Sequence, residues 1–292
     1  MKVKDVWRRQ MEFVRKKNAE NQMILMEENG ICYLQFASLK ETGLVKHLFS
    51  TRVGGVSVGY LGSMNLSYSR GDKKENVDEN FKRIADVLDT SVHHFVLSHQ
   101  THTTNIRIVT KEDEGKGITK QADYTDVDGL ITNEKGIVLS TFFADCVPLF
   151  FLDTKKHVIA LSHSGWKGTV GKIGRKTIET MCSEFGCEKK NLLVAIGPSI
   201  CRDCYEVGEE VADQFREVFK DSALNTILFP GQNGKYQLDL WQANYEVFLE
   251  SGLDPQQISV TDICTSCNKE LLFSHRASNG MRGNLGAFMM LI

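Results

Sequence analysis

Three polar segments of this chain of 292 residues carry side chains that bind metals or act in catalysis. The first contains His99 and His102, the second contains Asp145 and Cys146, and the third contains His163. Each segment follows or interrupts an apolar, strand-like run, and ligands of α/β proteins commonly bind where strands end. One thiolate and two imidazoles, from Cys146, His102 and His163, suit Zn²⁺ and leave a fourth position open. The three segments together predict a catalytic zinc site rather than a structural one.

Each segment also has a simpler interpretation. The two histidines of the first could lie in a surface loop, and Cys146 could fill a turn before Pro148. Residues 161–169 could form a glycine-rich connection between a strand and a helix, with Trp166 packed in the core. The three candidate ligands are too far apart in sequence for a zinc finger, so only the fold can bring them together.

Two further patterns are candidates for ligand binding. Arg52 precedes Gly54 and Gly55, and a guanidinium beside approachable backbone amides can bind phosphate. A hairpin turn with a surface arginine fits this segment equally well. The pairs Cys201/Cys204 and Cys264/Cys267 could form a Cys₄ zinc site, although the separation between the pairs far exceeds that of zinc ribbons.

Apolar periodicity predicts the elements that must position these residues. It indicates a mixed α/β (α+β) fold, a single domain with mixed central sheets covered by helices. We expect residues 1–40 to form a peripheral N-terminal helix and the first strands, and residues 41–292 to form one catalytic domain. The predicted helices are residues 4–20, 76–88, 169–185, 209–219 and 240–251. The predicted strands are residues 24–28, 31–36, 45–50, 95–98, 105–109, 136–143, 147–152, 157–161, 192–196 and 258–262.

Composition excludes several classes of protein. With 35 basic and 37 acidic residues, the formal charge of −2 argues against a nucleic-acid-binding protein, which needs a basic excess. The basic N-terminus lacks the apolar core of a signal peptide, and no apolar run approaches the roughly 18 residues that span a membrane. We therefore expect a cytoplasmic protein that does not bind membranes. Its cysteines should be thiols or metal ligands rather than disulfides.

Several motifs occur in an order that identifies a family. The motifs are His47-x-Phe49-Ser50-Thr51-Arg52-x-Gly54-Gly55-Val56-Ser57-x-Gly59, Gln100-x-His102, Ala144-Asp145-Cys146-x-Pro148, His163-Ser164-Gly165-Trp166-Lys167-Gly168, Gly197-Pro198-Ser199-Ile200, Cys204-Tyr205-Glu206-Val207-Gly208 and Phe273-Ser274-x-Arg276. With these motifs the chain resembles the laccase-domain purine nucleoside phosphorylase family, long labelled multicopper polyphenol oxidase. The resemblance runs from about residue 45 to the C-terminus, and it departs from the family at His275, where a tyrosine is expected.

The resemblance implies a zinc-dependent enzyme that acts on purine nucleosides. It implies phosphorolysis of adenosine, inosine and methylthioadenosine, and deamination of adenosine. His102, Cys146 and His163 would be the zinc ligands.

Other residues are expected to bind substrate or move protons. Arg52 with its two glycines, and Lys167 as a second candidate, would bind phosphate. Asp145 would shuttle protons, and His99 would support the site or contact the substrate.

Three alternatives remain open at this point. Cys146 and His163 could be the nucleophile and base of a cysteine hydrolase, because the implied fold is similar to that of cytotoxic necrotizing factor catalytic domains. Copper could occupy the same ligands and give a polyphenol oxidase, although a four-copper enzyme needs more than the eight histidines present. A metal-dependent scaffold without turnover is the third alternative. The oligomeric state is not predicted.

Overall fold

The structure is a computed structural model that describes residues 12–16 and 23–292. Most of the helix predicted over residues 4–20 lies outside these residues, and for residues 12–16 the prediction is wrong. That segment is extended, because Arg15 pairs with Ile263 in an antiparallel bridge. Asn268 holds the same segment, since it accepts from the Val14 amide at 2.7 Å and donates to the Val14 carbonyl at 3.0 Å.

Strands and helices alternate irregularly along the described chain. The strands are β1 Ile24–Glu28, β2 Ile31–Gln35, β3 Val45–Ser50, β4 Phe95–Leu97, β5 Ile106–Ile108, β6 Gly129–Thr132, β7 Val138–Phe143, β8 Val147–Asp153, β9 Val158–Ser164, β10 Leu192–Ile196, β11 Glu206–Val207, β12 Leu228–Pro230, β13 Tyr236–Leu238, β14 Ile258–Val260 and β15 Leu285–Leu291. The helices are α1 Ala37–Lys40, α2 Lys74–Val87, α3 Trp166–Val170, α4 Ile173–Phe185, α5 Glu209–Val218, α6 Asp221–Ile227 and α7 Leu240–Glu250.

Two mixed sheets of six strands form the centre of the molecule. The first sheet has the order β1-β2-β3-β15-β7-β4, and the second has the order β14-β10-β8-β9-β6-β5. Within each, most neighbours are antiparallel, whereas β4–β7, β5–β6 and β10–β14 are parallel. A small third sheet contains β11, β13 and β12. The mixed α/β fold predicted from the sequence is thereby confirmed. The predicted boundary at residue 40 stays a prediction, and β2 pairs with β3 across it.

The two large sheets pack face to face, with helices on their outer faces. Alternation along the strands explains the layers: in β8, Phe150 points into the core shared by both sheets, while Phe151 points toward the helices. Helix α2 covers the first sheet, where Phe81 packs near Phe288 of β15. Helices α3 to α7 cover the second sheet. Strands such as β8 read as continuous apolar runs because both of their faces are buried.

Most predicted elements are present, with three informative differences. The helix predicted over residues 169–185 is broken into α3 and α4, because Lys172 between them has a left-handed backbone (φ +54°). Strands β6 and β15 were not predicted, and β15 lies in the middle of the first sheet.

Within the described residues, no helix has the length and apolar character needed to cross a bilayer.

Two loops pass from one large sheet to the other at the same end of the sandwich. Residues 98–105 connect β4 of the first sheet to β5 of the second, and residues 144–146 connect β7 to β8 in the same way. The backbone leaves the strand ladder at each crossing. The polar side chains of the two loops are therefore free to face a cavity. The sequence-predicted segments that contain His102 and Cys146 are these two loops.

Candidate functional site

Three side chains from distant parts of the chain converge where the loops cross. His102 comes from the β4–β5 loop, Cys146 from the β7–β8 loop and His163 from the end of β9. One ligand atom from each lies within 4.8 Å of the others, and Cys146 Sγ is 3.9 Å from His102 Nε2. Strand pairing accounts for part of this geometry, since His163 lies opposite Pro148, close to Cys146. The structure thus brings together the residues proposed as a ligand set from the sequence.

Asp128 organises two of these three side chains. Its Oδ1 atom lies 2.7 Å from His163 Nδ1, and its two carboxylate oxygens accept from the backbone amides of Thr101, His102 and Thr103. A carboxylate on one ring nitrogen fixes the tautomer and leaves the other nitrogen, Nε2, to face a metal. Asp128 is fully buried, and hydrogen bonding in place of water satisfies its charge.

The protonation equilibria of the site favour ionised groups. Burial acts to raise the pKa of the Cys146 thiol, but the positive charge of His163 and a hydrogen bond with His102 lower this pKa to about 6. Burial acts to lower the pKa of His163, but the Cys146 charge and the Asp128 hydrogen bond raise it to about 9. Burial likewise opposes the charge of Asp128, yet its hydrogen bonds to His163 and the Thr101 amide keep its pKa low.

The donors and the space between them fit one metal ion. An N₂S set with a carboxylate behind one imidazole is typical of zinc, and three protein ligands leave a position open. The space is kept by Gly165, where a Cβ atom would lie 3.0 Å from Cys146 Sγ and 3.1 Å from His102 Cδ2. Any larger residue at this position would fill the region between the ligands.

Two residues of the site have strained backbones. His102 (φ +66°) and Asp145 (φ +88°) adopt left-handed conformations that usually favour glycine, at a cost of about 1–3 kcal/mol each. Hydrogen bonds hold both: the His102 amide donates to Asp128 at 3.1 Å, and the Asp145 carbonyl accepts from the Ile200 amide at 3.0 Å. The strain therefore occurs at one ligand and at the residue before another.

Two protein groups anchor Asp145. Its Oδ1 atom accepts from the Thr265 hydroxyl at 2.6 Å, and its Oδ2 atom accepts from the Arg276 amide at 2.7 Å. The side chain is buried and does not line the cavity beside Cys146. The proton-shuttle role stays a prediction that these contacts do not favour, because both carboxylate oxygens already bind protein groups.

A cavity of about 420 Å³ opens beside the three ligands. His99 lines it and is exposed, and its role as a substrate contact stays a prediction. Apolar and aromatic residues form another part of the wall, namely Leu66, Tyr68, Leu97, Phe142 and Phe143. The volume and the mixed lining suit a small organic molecule with a flat ring.

Two arginines at this cavity were missed in the sequence. Arg70 and Arg282 both line it, and the Arg282 Nε atom has no hydrogen-bond partner among the described residues. Burial, and secondarily the like charge of Arg70, lowers the pKa of Arg282 to about 10. Two guanidinium groups that repel each other inside a cavity favour binding of an anion between them.

The residues predicted to bind phosphate lie elsewhere. Arg52 donates to the backbone carbonyls of Gly62 and Lys269 at 2.7 and 2.9 Å, and its guanidinium lies over the Phe273 ring. A Cβ atom at Gly54 would meet Ile31 Cα at 2.7 Å, so this glycine allows close packing. The phosphate role of these residues stays a prediction that the contacts do not favour, because the Arg52 guanidinium binds the protein's own backbone.

The remaining residues form two groups: those that were predicted but do not line the cavity, and those that lie at the site but were not predicted. The side chain of Lys167 is exposed on α3 and does not line the cavity, so it is not brought to the site. The position of Gly55 is packed against the Ser63 backbone. Asp128 had a detectable signal, because it is an acidic residue directly before the apolar run of β6. Arg70 and Arg282 had none, since each lies in a polar loop.

Comparisons with known proteins agree with the fold. The family model described as multi-copper polyphenol oxidoreductase laccase matches residues 46–292. Purine nucleoside phosphorylase YlmD of Bacillus subtilis is 38% identical over 244 residues, covering 82% of this chain and 86% of that protein. Adenosine deaminase RL5, from an unknown prokaryotic organism, is 34% identical over 232 residues, covering 78% of this chain and 87% of that protein.

Solved structures extend the similarity to the whole fold. The crystal structure of YlmD from Geobacillus stearothermophilus has a TM-score of 0.85 and 32% identity, and the match covers 92% of this chain and 99% of that one. The hypothetical protein YfiH of Bacillus licheniformis has a TM-score of 0.86 and 30% identity over the same shares. The related proteins with an assigned activity are enzymes, and so is this one. The chain belongs to the multi-copper polyphenol oxidoreductase laccase family, whose relatives include purine nucleoside phosphorylases.

Proposed function

We propose that this enzyme acts on purine nucleosides, by phosphorolysis of adenosine, inosine and methylthioadenosine and by deamination of adenosine. The observation that carries the proposal is the shared cavity, in which a His/Cys/His ligand set, two arginines and an aromatic wall face one space. The names of the relatives support the same chemistry. Zn²⁺ is the proposed ion, and Cu²⁺ is the alternative for these ligands.

The metal ligands supply one half of the proposed site. A bound Zn²⁺ would provide a Lewis acid with an open position for water or a substrate oxygen or nitrogen. Asp128 holds the His163 ring so that its Nε2 atom faces the ion, and it fixes the loop of His102 through backbone amides. These hydrogen bonds preorganise the ligands, so no reorganisation is needed when the substrate binds.

Arg70 and Arg282 supply the other half in this proposal. They would bind phosphate in place of Arg52 and Lys167, since they line the cavity and repel each other without an anion. Phosphorolysis requires phosphate to be held against C1′ while the sugar develops positive charge, and paired guanidiniums both position and neutralise it. Phosphate would then form a bond to C1′ as the bond from C1′ to the purine nitrogen breaks.

The purine would lie against the aromatic wall. Tyr68, Phe142 and Phe143 line the cavity, and aromatic surfaces bind flat heterocycles by stacking. His99 is the proposed polar contact to the base or the leaving nitrogen, because its exposed imidazole faces the same cavity. An imidazole can both donate and accept a proton, which suits proton transfer to a leaving purine.

The test compares metal content and two reactions in matched variants. Cys146→Ala should lose both the ion and all turnover, whereas Arg282→Lys should keep the ion and lose phosphorolysis through a phosphate KM raised at least tenfold. Deamination of adenosine, which needs no phosphate, should be affected less in Arg282→Lys. Hypoxanthine release from inosine and ammonia release from adenosine are the readouts, with and without phosphate. Full rates in Cys146→Ala would contradict the proposal.

A cysteine hydrolase is the second candidate, for one specific reason. Asp128, His163 and Cys146 are arranged in space as carboxylate, imidazole and thiol, like a catalytic triad. The Asp128 carboxylate lies 2.7 Å from the His163 ring nitrogen. A bound ion would block the thiolate, so the two candidates predict opposite effects of a chelator. Chelation should abolish nucleoside turnover under the leading proposal, and it should increase hydrolase activity and thiol alkylation under the second.

A further inference from the structure

Four cysteines lie together away from the cavity, at one edge of the second sheet. Cys201 and Cys204 follow β10, and Cys264 and Cys267 follow β14, its parallel neighbour. Parallel neighbours end at the same edge of a sheet, so the two pairs meet despite their separation in sequence. Their four sulfur atoms lie within 4.8 Å of one another. The long separation between the two pairs in the sequence made a shared site improbable, and the fold brings the pairs together.

The distances between the sulfur atoms fit a single tetrahedral ion. Cys204 Sγ is 3.5 Å from Cys267 Sγ, and Cys201 Sγ is 4.0 Å from Cys267 Sγ. Zinc–sulfur bonds of about 2.3 Å at tetrahedral angles place two sulfurs about 3.8 Å apart. A disulfide requires about 2 Å, and a polynuclear iron–sulfur cluster spreads its cysteines over several irons. The spacing therefore fits one ion better than either alternative.

Hydrogen-bond donors and a positive charge lie beside the four cysteines. Cys264 is fully buried, and its sulfur accepts from the backbone amides of Cys201 and Cys267 at 3.2 and 3.4 Å. Amide donors stabilise the negative charge of metal-bound sulfur. Lys16 adds a positive charge beside the cluster. Its Nζ atom lies 3.0 Å from a carboxylate oxygen of Asp203, which stands between Cys201 and Cys204 in the sequence.

We propose that Cys201, Cys204, Cys264 and Cys267 bind a second Zn²⁺, a structural ion separate from the one at the cavity. Four protein ligands close the coordination shell, so this ion would take no part in turnover.

This second ion would fix the loops after β10 and β14. The residues next to the cysteines contact Asp145: the Ile200 amide donates to its carbonyl, and the Thr265 hydroxyl donates to its carboxylate. Because Asp145 precedes Cys146, the proposed ion would support the backbone that carries a ligand of the catalytic metal.

Metal counting in matched variants tests the second ion directly. By inductively coupled plasma mass spectrometry, the purified full chain should hold about two zinc ions, one at each set of ligands. Cys267→Ser and Cys146→Ser should each remove one, and Cys182→Ser, on helix α4 outside both sets, should remove none. One zinc ion in the wild type that only Cys146→Ser removes would overturn the proposal. So would retention of both ions by Cys267→Ser, or iron in place of the second zinc.

A measurement on the wild-type chain covers the case in which Cys267→Ser does not fold. Cys204 and Cys267 are half-buried, so without an ion they should react with iodoacetamide under native conditions. We expect peptide mass spectrometry to find them protected until a chelator removes zinc, with alkylation then at least tenfold faster. Equal rates with and without the chelator, or a disulfide among the four, would refute the second site. Neither experiment depends on nucleoside turnover, so its outcome is independent of the proposed function.

Discussion

Asp128 shows how one buried charge can organise a candidate metal centre. Its carboxylate forms hydrogen bonds with a ring nitrogen of His163 and with three consecutive backbone amides of the loop that carries His102. Two candidate ligands, one on a loop and one in a strand, are therefore fixed by one residue that does not itself belong to the ligand set. The charge is tolerated in the interior because every bond made to it comes from a strong donor.

Replacing Asp128 by asparagine should separate orientation from coordination. Asp128→Asn keeps the size of the side chain but removes the charge that raises the basicity of His163, so metal affinity should fall about 10- to 100-fold. Competition with a chromophoric chelator measures the affinity, and circular dichroism confirms folding. Asp89→Asn, at an exposed side chain that does not line the cavity, is the control and should bind metal normally. An unchanged affinity in Asp128→Asn would rule out this role.

At the scale of elements, the site depends on loops that leave one sheet and enter the other. The β4–β5 and β7–β8 connections make this crossing at the same end, and the turn from β9 into α3 closes the space between them. Gly165 lies in that turn and precedes α3. Its backbone is extended, so any residue could adopt the conformation, and only the nearby ligands require a glycine.

Adding one methyl group at this turn should disturb the metal and little else. In Gly165→Ala the new Cβ atom would lie 3.0 Å from Cys146 Sγ, so metal affinity should fall at least about tenfold with little change in folding. Gly208→Ala is the matched control, because Gly208 also precedes a helix and its nearest neighbour, Lys235 Nζ, is 3.8 Å away. The same chelator competition is the measurement. Equal affinities for the two variants would show that Gly165 is not required for the ligand geometry.

An ion-pair network in the loop after β5 should make stability depend on pH. Asp113 is buried and pairs with Arg107 and Lys116 at 2.7 and 2.8 Å. Burial acts to raise the pKa of Asp113, but the hydrogen bonds from Lys116 and Arg107 outweigh it and lower this pKa. A lowered folded-state pKa stabilises the protein above the unfolded value of about 3.9, and the stabilisation is lost as the pH falls through the folded-state pKa.

Asp113→Asn should therefore lower the free energy of unfolding at pH 7 by about 1–3 kcal/mol. The difference from wild type should shrink as the pH falls below about 4. Urea unfolding at a series of pH values measures both effects. Asp123→Asn is the control, because Asp123 pairs with the same lysine at 2.8 Å but is mostly exposed and should change little. A difference for Asp113→Asn that stays constant with pH would contradict the assignment.

At the scale of the whole molecule, the C-terminal strand closes the fold. Strand β15 lies between β3 and β7, so residues from opposite ends of the chain pair in the middle of the first sheet. Its side chains alternate between the core shared by the two sheets and the core beneath helix α2. Ala287 and Met289 pack between the sheets, and Phe288 packs against helix α2. The first sheet is therefore incomplete without β15.

Phe288→Ala tests the outer core. Phe288 is fully buried, with ring centroids of Phe95 and Phe81 at 5.7 and 6.4 Å, so truncation should cost about 3–5 kcal/mol of unfolding free energy. The urea midpoint should fall with an unchanged slope. Met281→Ala, at a side chain that is mostly exposed, should shift the free energy by less than about 0.5 kcal/mol. A loss below about 1 kcal/mol in Phe288→Ala would argue against the packing described for this face.

The sequence by itself revealed most of the elements and a candidate ligand set. Local periodicity located most strands and helices, because burial of one face or of both leaves a repeat in the apolar residues. The residue types at His102, Cys146 and His163 suit an N₂S ligand set, although their sequence separation could not show that they meet. The helix predicted over residues 169–185 failed at Lys172, whose left-handed backbone has no counterpart in a pattern of apolar residues.

Only the tertiary structure decided which polar residues share a space. Arg70 and Arg282 reach the cavity while Arg52 is bound to backbone carbonyls, and the parallel ends of β10 and β14 bring four cysteines together. Contacts between residues far apart in the chain depend on strand order and on where loops cross between sheets. One sequence read locally does not contain that information, because strand pairing is set by the packing of the whole core.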